Sequence, residues 1–369
     1  MTKNLKPRIL YVYPRSSTFI RRDLEALSKD FRIHHQQFDR GGKWMLPFSL
    51  VLQLLWLVRH RMAGARDVVG HFAGYHTVLP VLLGFRTHII IAGNDSCSFP
   101  GIGHGSFRKP LLGKAIGFSL RRAATILPVH ASLARFTNDY SDLGPREQGF
   151  LHFVDGIRAA VIPIPYGFDA QTWSCGVEGG SRQGVLCVAA GAGFGGRAFL
   201  VKGLDILSAA AAGMPDVPFT LVGVDTPGDY PVRANVKVIG RVTPQQLREL
   251  MASSSIYCQA SVAEGFPNGL CEAMLMGCLP VVSNVTSMPE IVGANGRVIA
   301  RRDPALLRQA IAGLLALPAE EQEPMRQRAR ESIASRFPAA LRTDRLVAVI
   351  KASMGMGKAE AHKTHPPAA

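Results

Sequence analysis

Short apolar runs that alternate with helix-length segments constrain the fold of this chain more than any other feature. Arg8–Tyr13, Val68–Phe72, Thr87–Ala92 and Thr125–Val129 read as strands, with Thr87–Ala92 a buried one. Residues 18–29, 46–62 and 110–122 fit helices, Arg32–Phe38 alternates like a strand, and a further helix is expected from about Ser132. Residues 150–165 look like a crossing, after which the series restarts with a strand at Gly184–Ala190 and a helix at 203–213. Strands follow at Pro218–Val222, Val236–Ile239 and Ile256–Cys258. Thr243-Pro244 supplies an N-cap and a proline at the first helical position, for a helix ending near Ser253. Helices then fill residues 303–354. Repeated β-α units predict an α/β chain with doubly wound parallel sheets in two Rossmann-like domains facing across a cleft. At 369 residues and 47% apolar content there is ample material for two cores. Ligands of such sheets bind at the carboxyl ends of the strands.

The loop after Ile256–Cys258 is the richest of these places. It contains Glu264, Gly265, Phe266, Pro267, Asn268 and Gly269, and an apolar helix then carries Glu272 and runs to Gly277, a C-cap. A strand, a glycine-bearing loop and a helix N-terminus form an anion site, because free backbone N–H groups and the helix dipole point at the ligand. Two fixed carboxylates beside it suit sugar hydroxyls. A second loop, Gly195 to Gly203, holds Arg197 and Lys202. A forked guanidinium and a compact ammonium suit a diphosphate.

The run from Ala263 to Met274, with Gly277-Cys278-Leu279-Pro280-Val281-Val282 and Met288-Pro289-Glu290-Ile291-Val292 behind it, resembles the donor-site signature of the family 4 retaining glycosyltransferases, which have the GT-B fold. The match is good over the second half of the chain and weak over the first. The resemblance implies a hexosyltransferase-type enzyme in which Arg197 and Lys202 hold the donor diphosphate and Glu264 the donor sugar. Glu272 would take the ribose hydroxyls, and the loop Gly265, Phe266, Pro267, Asn268 and Gly269 would bind the donor, with backbone N–H groups from Phe266 to Gly269 meeting the phosphates or sugar. Glu264, Arg197 and Lys202 are the residues expected to carry the chemistry, with no nucleophile assigned. Residues 1–165 would bind the acceptor, 166–337 the nucleotide sugar, and 338–354 would return to the first domain, leaving 355–369 as a disordered tail. Glu290 is expected to fix the Pro289 loop. Asn94, Asp95, His71 and His130 are the cleft candidates of the first domain, with His76 beside them. Two departures stand out: Tyr166 replaces the usual Asn in Ile164–Asp169, and Pro14–Phe19 replaces a glycine-rich loop.

Charge narrows the partners. Residues 1–165 hold 22 Lys and Arg against 10 Asp and Glu, a surplus of 12 within the chain's +15. A basic half favours an anionic partner. With the resemblance, it points to a lipid-linked glycan acceptor in bacterial surface polysaccharide synthesis (exopolysaccharide, capsule or lipopolysaccharide), and to peripheral contact with the inner face of the cytoplasmic membrane. Leu46–Val58 is nearly all apolar but too short to span a bilayer. A buried core helix is its first reading, and a membrane-dipping helix with Arg59-His60-Arg61 at the headgroups its second. The six cysteines, Cys97, Cys175, Cys187, Cys258, Cys271 and Cys278, include no Cys-x-x-Cys pair and read as buried reduced thiols of a cytoplasmic protein without a signal peptide. No Asp-x-Asp motif and no spaced His/Cys cluster occurs, so neither a metal nor another cofactor is expected. Two rivals remain. Gly191, Gly193 and Gly196 satisfy G-x-G-x-x-G, the mark of an NAD-dependent oxidoreductase, but the next helix is expected only near Gly203, and Asp216 and Asp225 are poorly placed for a ribose. A basic nucleic-acid-binding module would need aromatic residues interleaved with the cations, and no such pattern is present.

Overall fold

The computed structural model describes residues 6–39, 41–174, 182–231 and 233–356. Cys175 and most of the expected tail, residues 357–369, lie outside them. In the first domain the order is β1 (Arg8–Tyr13), α1 (Thr18–Ser28), β2 (Arg32–Gln37), α2 (Leu46–Met62), β3 (Asp67–His71), α3 (Tyr75–Leu82), β4 (Arg86–Ile91), α4 (Pro110–Arg122) and β5 (Thr125–Pro128). An antiparallel pair, β6 (Phe136–Thr137) with β7 (Glu147–Gln148), then α5 (Phe150–Phe153) and β8 (Ala160–Val161) complete it. The expected helix after Ser132 is therefore a single turn and a ribbon. Gly149, with φ of 101°, marks where the ribbon gives way to α5. The sheet runs β2-β1-β3-β4-β5-β8, all parallel.

The second domain contains β9 (Val185–Val188), α6 (Arg197–Val201), α7 (Leu204–Ala212), β10 (Phe219–Val222), β11 (Val236–Ile239), α8 (Pro244–Ser253), β12 (Ile256–Gln259), α9 (Asn268–Leu275), β13 (Leu279–Ser283), α10 (Met288–Val292), β14 (Arg297–Ile299), α11 (Pro304–Leu315) and α12 (Ala319–Arg336). Its parallel sheet is ordered β11-β10-β9-β12-β13-β14, so the order reverses between β9 and β12. That reversal opens a crevice at the strand ends, the place where open α/β sheets bind ligands. The local chemistry fits. Thr243 and Gln246 close a capping box on α8, and Gly277, with φ of 80°, stops α9.

The chain passes between the domains twice. Phe168 and Pro338 form a parallel bridge, with Phe168 N–H donating to Phe337 O and Ala339 N–H to Phe168 O. Gly167 is required there, because a Cβ would meet Ala339 Cα at 2.6 Å. Beyond this point α13 (Ala339–Ser353) lies on the first domain. Its Arg342 grips Asp23 of α1 through two bonds of 2.7 and 2.6 Å, and Lys351 reaches Asp30. The guanidinium of Arg342 also lies 4.4 Å from the Tyr166 ring centre, the residue that replaces the usual Asn.

The α2 helix corrects the expectation of a fully buried core segment. Its buried positions are Ser49, Gln53 and Leu57, and the Gln53 amide donates to His76 O at 3.0 Å. Phe48, Val51, Leu54, Leu55 and Val58 face outward.

Candidate active site in the interdomain cleft

A cleft of about 390 Å³ lies at the β9/β12 reversal and is closed from above by the first domain. Its floor holds Arg197, Lys202, Glu264, Gly265, Phe266 and Asn268. The first domain contributes Phe19, Phe72, Asn94, His104 and Tyr166. Two loops from opposite domains meet at backbone distance over this floor. A Cβ on Gly93 would come within 2.9 Å of Gly265 Cα, and one on Gly265 within 1.8 Å of Ala92 O.

Glu264 is the centre of the floor. Its Oε1 accepts from Lys202 Nζ at 2.6 Å, Gln259 Nε2 at 2.8 Å and Ser261 Oγ at 2.8 Å. No hydrogen bond is made to Oε2 among the described residues. Burial pushes this carboxyl up, but the Lys202 charge and the three donors outweigh it and hold the pKa below its ordinary value. Thr286 and Ser287 fix the same loop by donating to Glu264 O and Gly265 O. Thr286 holds a φ of 47° to do so. One carboxylate oxygen is thus anchored, and the other is left on the cleft floor.

Arg197 opens α6 with Gly196 as its N-cap, and Lys202 ends that helix. The helix therefore begins six residues earlier than the expected start near Gly203, which removes one of the two grounds against a dinucleotide site. The other stands: Asp225 follows the end of β10 by three residues. The Lys202 ammonium spends one donor on Glu264 and keeps two. At the start of α9, Asn268 carries a buried Oδ1 with no partner, an unmet acceptor on the cleft wall. Pro267 N-caps α9, and Gly269 sits where a Cβ would meet the Tyr257 hydroxyl at 2.6 Å.

Glu272 is placed differently. It lies one turn into α9 but outside the cleft wall, with its carboxylate 3.9 Å from Arg22 of α1. Burial raises its pKa to about 7 against the lowering effect of Arg22.

The first-domain candidates separate. Asn94 lines the cleft, bonded to Ser106 and Gly105. Asp95 is buried beneath it, accepting backbone N–H groups from Ala73, Ala92 and Gly93, so it shapes the β4 loop instead of facing the cleft. Burial lifts its pKa to about 6 despite those donors. His71 is a correction: it is fully buried under the cleft wall, bonded to the Tyr11 and Tyr166 hydroxyls at 2.8 and 3.1 Å. Desolvation drops its pKa to about 3, so it holds Tyr166 as a neutral ring. His76 is likewise buried, with its ring bonded to His71 O. His130 does not line the cleft either; it bonds Glu290 Oε2 at 2.9 Å, and Arg336 completes that link between the domains.

The sequence reading missed His104. It stands between Gly103 and Gly105 on a loop that touches α6, and it faces Glu264, Arg197 and Lys202 across the cleft. Desolvation holds its pKa down at about 4. The only signal was the flanking glycine pair; Gly105 sits at a φ of 89°, where a Cβ would strike Cys97 O. Among the described residues no group of three or more His, Cys, Asp and Glu could hold a metal ion.

Comparison with known proteins bears on the fold. The structure resembles sucrose-phosphate synthase from Thermosynechococcus elongatus, with a TM-score of 0.72 and 14% identity over 95% of this chain and 100% of that one. A glycosyltransferase from Rickettsia africae gives 0.69 and 12% over 95% and 100%. HepE from Anabaena, solved with UDP-glucose, gives 0.68 and 17% over 94% and 99%. A search of the curated proteins finds no match. Residues 189–316 match the family described as Glycosyl transferases group 1. The chain therefore carries a glycosyl transferases group 1 domain within a GT-B fold.

Proposed function

We propose that this protein is a retaining glycosyltransferase that moves a hexosyl group from a nucleotide-diphosphate sugar to a hydroxyl of a lipid-linked glycan. The observation that carries the reading is Glu264, with Oε1 saturated by Lys202, Gln259 and Ser261 and Oε2 left for a sugar hydroxyl. Arg197 and the two spare Lys202 donors meet the diphosphate beside it. The bond from the anomeric carbon to the diphosphate oxygen breaks, and one from that carbon to the acceptor oxygen forms on the same face. The acceptor proton leaves with the departing diphosphate. Fixed cations and N–H dipoles stabilise the negative charge as it develops, so the reaction is proposed to need no metal. Glu272 is proposed for the ribose; it lies beyond the cleft wall, so donor binding must turn its side chain. The domain contact over Gly265 excludes water from the reacting carbon. The acceptor class rests on the basic first half and on the sequence resemblance, and places the reaction at the inner face of the cytoplasmic membrane in surface polysaccharide synthesis.

A thermal-shift panel of UDP-, GDP- and ADP-sugars with NAD tests the reading. A ligand at 100 times its Kd adds about 2.7 kcal/mol of stability. One sugar nucleotide should shift the wild type, and the shift should vanish in Arg197→Ala and Glu264→Ala. A shift with NAD alone overturns the reading.

A further inference from the structure

We infer that the outer face of α2 is a docking surface for an anionic lipid bilayer, with the helix lying in the plane of the headgroups. This deepens the proposed function by naming the membrane-contacting element, and its test is independent of the donor. Every exposed position from Pro47 to Val58 is apolar, while the polar Ser49 and Gln53 point into the protein. Phe48, Val51, Leu55, Val58 and Met62 are spaced three and four residues apart, so they form one stripe along the helix, and Trp44 stands in the turn just before its start. Trp44 is 96% exposed, Leu55 62% and Met62 84%. A soluble surface helix has the opposite arrangement, with its polar side outward.

Three observations select a bilayer as the occupant. The first is charge. The stripe belongs to the half of the chain that holds the basic surplus, and its last turn carries Arg59, which is exposed and has no ion pair among the described residues. A second copy packed on this stripe would bring two basic halves together, whereas anionic headgroups neutralise them. The second is shape. The seventeen-residue helix is about 26 Å long, with the indole of Trp44 at one end, where an aromatic ring suits the headgroup layer. The third is continuity. A cavity of about 650 Å³ begins at Leu46 in the first turn of α2, passes Lys109 and Leu112 at the start of α4, and reaches Asn94. Asn94 also lines the active-site cleft. Leu111, between Lys109 and Leu112, is itself 73% exposed. A lipid-linked acceptor held by the bilayer at α2 thus has a route to the cleft. No helix among the described residues is long and apolar enough to cross a membrane, so the contact is interfacial.

The test uses the full chain with vesicles of phosphatidylcholine alone or mixed with phosphatidylglycerol. The wild type should co-sediment with the mixed vesicles, and its tryptophan emission should shift to the blue. Trp44→Phe should remove most of that shift, because Trp173 is buried and Trp56 faces inward beside Leu57. The triple variant F48S/L55S/V58S changes only exposed positions. It should lose vesicle binding by at least about tenfold, since binding of an interfacial helix scales with its buried apolar area. Its melting temperature and its sugar-nucleotide shift should stay as in the wild type. Wild-type protein that stays in the supernatant with both vesicles overturns the inference, as does a triple variant that binds like the wild type. A wild-type dimer that the triple variant turns into a monomer also overturns it, and assigns the stripe to a second copy. Vesicle binding without any sugar-nucleotide shift would retain the docking surface and remove the proposed function.

Discussion

Alanine at Gly265 probes the domain contact in isolation. Gly265 has no left-handed φ, so alanine brings no backbone strain of its own. Its Cβ would lie 1.8 Å from Ala92 O and 2.6 Å from the Ala92 carbonyl carbon. Ordinary contact starts near 3.4 Å, so the β4 loop and the Glu264 loop must separate by about 1.6 Å. Both obstructing atoms belong to the other domain, so the domains part while each core stays intact. A misplacement of about 1 Å in a reacting constellation costs on the order of 100-fold in rate, or about 2.7 kcal/mol of barrier. We therefore expect Gly265→Ala to lower kcat/KM by about 100-fold or more, with a melting temperature close to wild type and a larger radius of gyration in solution scattering. Initial rates with the donor found by the thermal-shift panel give the first quantity. Gly313→Ala, in α11 with nothing near its Cβ, is the control and should keep full activity. Wild-type kcat/KM in Gly265→Ala refutes the reasoning, and so does outright unfolding, which would mean that the obstacle lies within a domain core.

Other outcomes follow from the buried charges. Arg342→Met strands the Asp23 carboxylate between α1 and α13 and should cost about 3–5 kcal/mol in urea unfolding. Lys202→Met leaves Glu264 with burial and no cation. It should cost about 1.5–3 kcal/mol and abolish the donor-induced thermal shift. Glu272 is held above its ordinary value of 4.5, at about 7. A raised carboxyl stabilises the fold fully below pH 4.5 and loses that contribution as the pH climbs through about 7. Glu272→Gln should therefore flatten the decline of wild-type stability between pH 4.5 and 7, measured by urea midpoints. Asp95→Asn, at a carboxyl held near 6, should flatten the same decline over pH 4 to 6.

The second domain was largely legible in the sequence because its signals are local. Apolar strands such as Ile256–Gln259, the capping residue Thr243 and the stop at Gly277 each act within a few residues, and the Glu264 loop lies between two of them. Arg197 and Lys202 could be placed for the same reason, although the short turn of helix that carries them was not seen. The first domain was less legible. The α3 helix contains Pro80 and was missed, and the ribbon after Ser132 has too few residues for any period to show. His71 and His130 illustrate a deeper limit: a lone histidine has the same appearance in a cleft, a core or an interdomain tie, and only long-range neighbours such as Tyr166 and Glu290 decide. The reversal of α2 was hidden because Leu46–Val58, with only two polar residues, gives little indication of which side faces the core.

The paired crossings at Phe168 and Pro338 determine how this molecule can move. A single linker lets two lobes swivel, tilt and drift apart. Two adjacent segments laced by backbone hydrogen bonds behave as a leaf spring, which flexes readily across its width and resists torsion. The Arg342–Asp23 grip ties one end of that spring to the first lobe, beside the Tyr166 ring. Such a hinge favours opening of the cleft along a jaw-like arc, in which closure brings Gly93 back over Gly265. Reproducible alignment of the two cleft walls would in this way be a property of the hinge, whose Phe168 and Phe337 pack directly on Phe266 of the cleft floor.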